Sequence, residues 1–586
     1  MRWYELRQLI IRFDSGGALR AEIIATAVIL LLAILAPRIG SKCFRSIETA
    51  LRRVASQKLL SILIIGLLAF WISAIRSFLT QVPQPSIHDE FSYLLAADTF
   101  AKGRLANPTP PSSDHFESFH IIQKPTYASK YPPAQGLFLA LGELVFGYPI
   151  AGVWFSIACA CMAICWMLQA YLSPSWALAG AFLAMVRLVM LGQSPPSTVA
   201  GYWSQSYWGG AVAALGGALL FGAVRRVFEK PSLSQAGLMA LGLAILANSR
   251  PYEGLLASLP VIGVLGFRLF GKNAESKRTL ITNTLLPLGG MLLFVVLLMG
   301  YYNSRLTGRW TVMPYQLYEE QYSVAPVFLW QSLKPEPEYH HQIIRNFNLA
   351  WALPTYLGQR SFRGFLAGRT TAILMTWNFF VQVILLLPLI ALRRSWRDPW
   401  IRFALLTCTV VMCGVLLETW NYPHYAAPIT ALIYLIIAHA MSRIRIWRLR
   451  QKHFGLFLVR GILAACFIFC LVPLGRTLET PPGSWAMYRA RLIAQLKHEP
   501  GKHLILVRYM PQHPFHSEWV YNEADIEGAK VVWARDMGPD KNRQLLADFK
   551  DRRVWLLLPD IAPQLIPYQG SSIARISEFP AYRQLR

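Results

Sequence analysis

Residues 58–80 read KLLSILIIGLLAFWISAIRSFLT, and residues 81–103 continue QVPQPSIHDEFSYLLAADTFAKG. The first stretch is long enough to cross a bilayer, which takes about 20 apolar residues. The second is polar and opens with an acidic pair, Asp89-Glu90. Similar apolar runs recur, among them Ala21 to Ala36 and Ile281 to Tyr302. Of the 586 residues, 54% are hydrophobic and only 15% charged, with mean hydropathy +0.36. A soluble chain would carry roughly a quarter charged residues. The expected class is therefore a multi-pass α-helical membrane protein with about 11–12 transmembrane helices.

Net charge is +26, and its location decides what it means. Arg225-Arg226, Lys272 to Arg278, Arg393-Arg394 with Arg397, and the group Arg443, Arg445, Arg448, Arg450 and Lys452 each follow an apolar run. That is the pattern of cytoplasmic connectors under the positive-inside rule. The charge is read as topology and attraction to the lipid bilayer, with no nucleic acid as partner. With those connectors inside, 58–80 runs outward to a polar loop, 81–133. Runs near 150–172, 175–192, 203–224, 235–250, 252–270 and 279–301 alternate to a second outer loop, 302–369. Runs near 371–392, 402–418, 423–441 and 456–474 follow. The segment 21–37 reads equally as a crossing or as an interfacial helix.

Three regions are expected: 1–57 with a first apolar helix and a basic connector, 58–475 as the transmembrane domain, and 476–586 as a small α/β domain outside. In that tail His503 to Arg508, Ala529 to Ala534 and Val554 to Leu558 look like buried strands, with a helix at Asn542 to Phe549. None of the eight cysteines lies in the long polar segments, so no disulfide staples are expected there. No cleavable signal peptide is evident, because a polar stretch precedes the first apolar run.

In the first outer loop, Asp89 sits where an N-cap belongs, ahead of a helix from Phe91 to Lys102 that Gly103 would end. Phe91, Leu94, Leu95 and Ala97 suit a helix lying along the membrane surface. Capping explains one acid, but not His88 and a second acid at the membrane edge. The alternative is a general base that takes the proton of a sugar hydroxyl. The residues alone leave both open. Downstream, Lys124 to Pro133 (KPTYASKYPP) leads into an apolar helix, Ala134 to Phe146. Lys130 is placed to hold a phosphate, since an ammonium and a helix N-terminus both favour anions. A snorkelling lysine is the plainer reading.

This acidic pair opening a helix, followed by Lys-Tyr-Pro-Pro and an apolar helix ending in Phe-Gly, resembles the GT-C superfamily of membrane glycosyltransferases. The pattern is closest to protein O-mannosyltransferases and ArnT-like aminoarabinose transferases. The resemblance implies that Asp89 is the catalytic base with Glu90 assisting, and that Lys130 contacts a lipid phosphate. It also implies an inverting transfer from a polyprenyl-phosphate sugar donor to a hydroxyl acceptor. It covers about 80–175. The inserted Tyr131 and the loop His115 to His120 (HFESFH) depart from it.

Other polar residues fall on the same side. Arg250 is a second candidate for the donor phosphate, with Glu253 as its partner or as a sugar contact; a buried structural pair is the alternative. His424, in Glu418 to Tyr425 (ETWNYPHY), is a third phosphate candidate. His88 and Tyr315 are candidate substrate contacts. Tyr202 to Trp208 (YWSQSYW) reads as an interfacial aromatic belt. His513, His516 and Glu518 lack a recognised zinc spacing. No cofactor is specified; a divalent cation held by Asp89 or Glu90 would share the phosphate charge. The site and tail are thus expected on the outer face of the cytoplasmic membrane. The competing function is a polytopic transporter or lipid flippase, although no repeated halves are visible. A non-catalytic scaffold would leave Asp89, Glu90 and Lys130 unexplained.

Overall fold

The computed structural model describes residues 18–192, 201–270, 274–449, 451–476 and 484–568. Residues 1–17, Lys272, Arg450 and the tail segments 477–483 and 569–586 lie outside the described residues, as does the side chain of Arg394.

Eight described helices are long and apolar enough to span a membrane: Lys58–Thr80, Pro149–Tyr171, Pro174–Leu191, Ala211–Glu229, Pro251–Leu269, Glu275–Thr307, Pro423–Ile444 and Phe454–Leu471. Shorter apolar helices run Pro133–Phe146, Leu233–Ala247 and Pro399–Val415. Proline opens many of these elements, where its missing N–H and fixed φ cost nothing. The helix Ala18–Leu35, which covers most of segment 21–37, packs against Phe454–Arg476.

The bundle is closely packed because small residues meet at crossings. A Cβ at Gly152 would collide with the carbonyl oxygen of Phe138, and one at Gly217 with that of Pro428. Close backbone approach of this kind replaces the hydrophobic drive that lipid cannot supply.

Two expected runs are corrected. The run 203–224 is not one helix: Gly201 to Gly210 is irregular and buried, and the helix begins at Ala211. The run 371–392 is also broken. A helix spans Phe362–Phe380, the chain turns with Gln382 at φ 52°, and a short 3-10 segment covers Leu387–Ala391. Buried Arg187 fills that break. Its guanidinium donates to the carbonyls of Asn378 and Phe379 and to Gln382 Oε1 (2.7 Å), and it lies 3.5 Å from Glu22. Carbonyls freed by a helix break at this depth need such a donor.

The segment after residue 80, the segment between Thr307 and Phe362, and the tail pack on one another. The tail holds a four-stranded sheet of β3 (Lys502–Val507), β4 (Val531–Arg535), β5 (Arg552–Leu558) and β6 (Ala562–Pro567), after a small ribbon of β1 (Ile121–Ile122) and β2 (Ala128–Ser129) in the first loop. The order is β4-β3-β5-β6, parallel except for β6. Helix Trp485–His498 precedes the sheet, and Pro539–Asp548 crosses between β4 and β5.

One sheet face shares a core with Phe91, Leu95, Phe116, Ile121 and Tyr127 of the first loop. Phe91 stacks on Tyr521 at 3.9 Å. Asp98 accepts from Ala524 N–H (2.6 Å), and Tyr127 donates to Asn522 O (3.2 Å). The helix expected to lie along the membrane surface is instead covered: its apolar residues face the tail and the Pro133–Phe146 helix.

Candidate functional site

The first-loop helix starts one residue before Asp89, at His88, with Ile87 as N-cap. Asp89 therefore does not cap it, which corrects the sequence reading. Glu90 serves the helix start instead. Its Oε2 accepts from Ser86 N–H (2.9 Å) and Ile87 N–H (3.2 Å), and its Oε1 accepts from Tyr207 N–H (3.0 Å). Burial pushes its carboxyl up to about 7 against the pull of those three amides. Both Glu90 oxygens are occupied by the backbone, so of the two acids only Asp89 keeps a partly exposed edge that a cation could reach.

Asp89 Oδ1 accepts from the hydroxyl of Tyr131, and its Oδ2 lies 3.9 Å from His120 Nε2. Local folding explains both neighbours. Ser92 Oγ donates to His120 O (2.6 Å), so Ser129 Oγ donates to Ser92 Oγ (2.7 Å) and itself accepts from Tyr131 N–H (3.1 Å). Lys130 N–H also donates to His120 O (3.1 Å). This chain of bonds ties the helix, the HFESFH loop and the Lys-Tyr-Pro-Pro segment together. His120 holds a left-handed φ of 63°, which is costly for a residue with a Cβ. Burial lowers its imidazole well below the ordinary histidine range.

Lys130 is 4% exposed. Its ammonium is 3.3 Å from Glu319 Oε1 and lies over the rings of Tyr318 (4.5 Å), Tyr315 (4.7 Å) and Tyr131 (5.4 Å). Burial lowers its pKa while Glu319 and Asp89 oppose that shift. The snorkelling alternative requires a solvated head, and this one is enclosed. A depression beside it is lined by Lys130, Pro133, Asn248, Tyr302, Met313 and Tyr315. Asn248 O accepts from Ala134 N–H (2.9 Å), which brings the Arg250 connector against the start of the Pro133–Phe146 helix.

Arg250 and Glu253 pair at 3.5 Å, and the Arg250 guanidinium lies 4.4 Å over Tyr425. Tyr425 is 4.9 Å from the His424 ring, which also meets Trp208 at 5.1 Å. His424 is 2% exposed and its Nδ1 has no hydrogen-bond partner among the described residues. Glu418 is buried near the same charges; burial, with Glu253 beside it, holds its carboxyl well above the ordinary range.

His88, expected as a substrate contact, is buried against protein. Its Nε2 is 2.7 Å from Phe515 O, its ring stacks on Phe119 at 4.0 Å, and burial lowers its pKa to about 3. The aromatic-belt reading of Tyr202 to Trp208 is also overturned: Tyr202 and Trp203 are buried, and Tyr207 supports Glu90. The tail histidines do not converge with Glu518. His513 bonds to Asp560 (2.6 Å) and Ser517 O, whereas Glu518 pairs with Arg535 (2.6 Å). His516 instead approaches His88 (5.4 Å) and Trp351 (5.5 Å), at the edge of the site.

Sequence reasoning missed Tyr131, His120, Glu319 and Tyr318 as members of this cluster. Tyr131 and His120 were visible only as oddities beside Lys130. Glu319 belongs to a short helix, Pro314–Tyr322, whose buried acid stands out only once its inward face is known.

No protein-family description and no curated protein sequence matches the chain. Among solved structures, it is similar to ArnT from Cupriavidus metallidurans bound to undecaprenyl phosphate, at 12% identity and TM-score 0.47, covering 88% of this chain and 96% of that one. It is also similar to the Archaeoglobus fulgidus oligosaccharyltransferase tethered to an acceptor peptide, at 11% identity and TM-score 0.43, covering 78% and 63%. A third likeness is to archaeal oligosaccharyltransferase AglB from the same organism in complex with an inhibitory peptide and a dolichol-phosphate, at 10% identity and TM-score 0.37, covering 84% and 69%. Likenesses at this level assign neither a reaction nor a residue to the chain.

Proposed function

We propose that the protein is a membrane glycosyltransferase that moves a sugar from a polyprenyl-phosphate donor to a hydroxyl acceptor. The observation that carries this reading is the Asp89 carboxylate, free of the helix cap, bonded by Tyr131 and set beside the buried ammonium of Lys130. A base beside a phosphate ligand suits a step that removes one proton as one phosphate departs.

In the proposed step the acceptor oxygen attacks the anomeric carbon while Asp89 takes its proton. The bond from that carbon to the phosphate oxygen breaks, and the polyprenyl phosphate leaves with the electron pair. Attack opposite the leaving group inverts the centre. Tyr131 holds the carboxylate in place. Lys130 meets the departing phosphate, which would compete with Glu319 for the ammonium, and Arg250 is a second cation near the same segment. The orphan Nδ1 of His424 is a candidate contact for a phosphate or sugar oxygen, because an unpaired buried polar atom costs about 1–3 kcal/mol. Tyr315, over Lys130, would flank the sugar. If a divalent cation takes part, Asp89 is the acid with an accessible edge to hold it, and it would supply charge for the phosphate. The positive-inside pattern of the basic connectors supports a site on the outer face of the cytoplasmic membrane.

The test is sugar release from a panel of radiolabelled polyprenyl-phosphate sugars, comparing wild type with Asp89→Asn. Transfer or slow hydrolysis by the wild type is expected to fall about 10²- to 10⁴-fold in the variant, with unchanged gel-filtration behaviour. Intact donors together with labelled lipid crossing liposomes in both proteins would replace this reading with that of a flippase.

A further inference from the structure

The loop that departs from the family pattern, His115 to His120, carries a second polar cluster on its far side. Asp114 lies in the short 3-10 turn Ser113–Phe116, and Glu117 follows it. His340 and His341 come from the other large loop, just ahead of the helix Gln342–Asn346. One ligand atom from each of Asp114, Glu117 and His340 lies within 4.8 Å of the others.

The Glu117 side chain is 10% exposed. His340 Nδ1 is 3.0 Å from its Oε1, Tyr322 donates to the same oxygen (3.4 Å), and His341 Nε2 is 3.7 Å from Oε2. His341 Nε2–H is directed to Asp114 O (2.6 Å), so it positions the turn and is not itself a ligand. Burial raises the Glu117 carboxyl, and a positive charge close by would favour its charged form. Arg535 does not supply it by direct contact: its Nε donates to the Glu117 backbone carbonyl (2.8 Å) and its other arm pairs with Glu518. Lys124 meets the outer acid, 3.6 Å from Asp114, and its side chain is 64% exposed.

We propose that Asp114, Glu117 and His340 form a transition-metal site that clamps the first polar loop to the second. The donor set is one imidazole nitrogen and two carboxylates, which suits Zn²⁺ or Mn²⁺ and disfavours the all-oxygen ions Ca²⁺ and Mg²⁺. Metal–ligand bonds of about 2.1 Å at tetrahedral angles set ligand atoms about 3.4 Å apart. The His340–Glu117 separation of 3.0 Å is slightly shorter than that edge and would open on binding. Asp114 and His340 are 41% and 38% exposed, so both have rotamer freedom to close the remaining gap. Water fills the open positions. The ion sits three residues from His120, on a segment whose Phe119 packs on His88, so its binding stiffens the wall beside Asp89.

The test uses the full-length protein in detergent, stripped with EDTA, dialysed against Zn²⁺ or Mn²⁺ and then desalted. About one ion per chain is expected in wild type and in Asp89→Asn, with a rise in Tm and slower proteolysis within 112–124. His340→Ala and Glu117→Gln should each weaken retention at least about tenfold. His340 is exposed enough that its variant should keep the wild-type gel-filtration profile. Absence of retained metal in wild type, or equal retention in both ligand variants, would overturn the site. Loss in Asp89→Asn with retention in His340→Ala would place the ion at the proposed catalytic acid instead. None of these outcomes depends on whether sugar is transferred.

Discussion

A carboxylate at the second position of a helix and one at the third point about 100° apart. That angle separates Asp89 from Glu90: the third position turns back onto the helix start, and the second is left to face Tyr131 and His120. Tyr131→Phe keeps the ring stack on Tyr93 but removes the hydroxyl that orients the carboxylate. Since a hydrogen bond to a charged group contributes about 1.5–3 kcal/mol, turnover should drop roughly 10- to 100-fold with little change in KM. The measurement is the same sugar-release assay over a range of donor concentrations. His88 predicts a pH effect on stability. Its folded pKa is depressed to about 3, whereas an unfolded imidazole takes a proton near 6.5. Between those values the unfolded chain binds more protons, so stability is full above pH 6.5 and is lost as pH falls toward 3. His120 and His516 are lowered by burial too, so His88→Phe should flatten the fall in Tm between pH 7 and 4 only in part. A slope unchanged from wild type would remove His88 from that account.

At the scale of elements, the site depends on how closely helices approach beneath it. The Pro133–Phe146 helix, which begins beside Lys130, crosses Pro149–Tyr171 backbone to backbone at Gly142 and Gly152. A side chain at Gly152 meets main-chain atoms that cannot rotate away. Gly152→Val should therefore cost at least 3 kcal/mol, roughly the upper range for overpacking, and abolish monodisperse protein. Gly263, also within a membrane helix, has nothing within 4 Å of an added Cβ, and Gly263→Ala should leave Tm within about 2 °C of wild type. Detergent-exchange gel filtration and scanning fluorimetry distinguish the two. Helix periodicity alone does not separate these glycines, because both lie in uniformly apolar runs.

Across the whole molecule, the tail and the first loop fold on one another. The stack of Phe91 on Tyr521, the Asp98 and Tyr127 bonds to the tail backbone, and the shared core tie one face of the His88–Ala101 helix to the tail, while its other face packs on Pro133–Phe146. Ending the chain after Arg476 should expose that core. Hydrogen exchange within 88–101 is expected to rise by at least an order of magnitude, while the membrane helices keep their protection. Equal protection in both forms would mean that the first loop stands on the bundle alone.

The membrane class, most of the helical spans and three of the four described strands of the tail sheet were legible in the sequence, because burial in lipid or in a sheet demands apolar runs of characteristic length. So were Asp89, Lys130, Arg250 and His424 as candidates, since charged or titratable groups at helix ends near lipid are scarce. Which acid caps the helix was not legible, because a one-residue shift in the start exchanges the roles of Asp89 and Glu90. Nor was the burial of Tyr202 to Trp208, since aromatic residues serve a lipid interface and a protein interior equally well. The partners of Lys130 and of Glu117 come from segments about 190 and 223 residues away. Contacts of that separation leave no local period in the chain, and only tertiary packing brings them together.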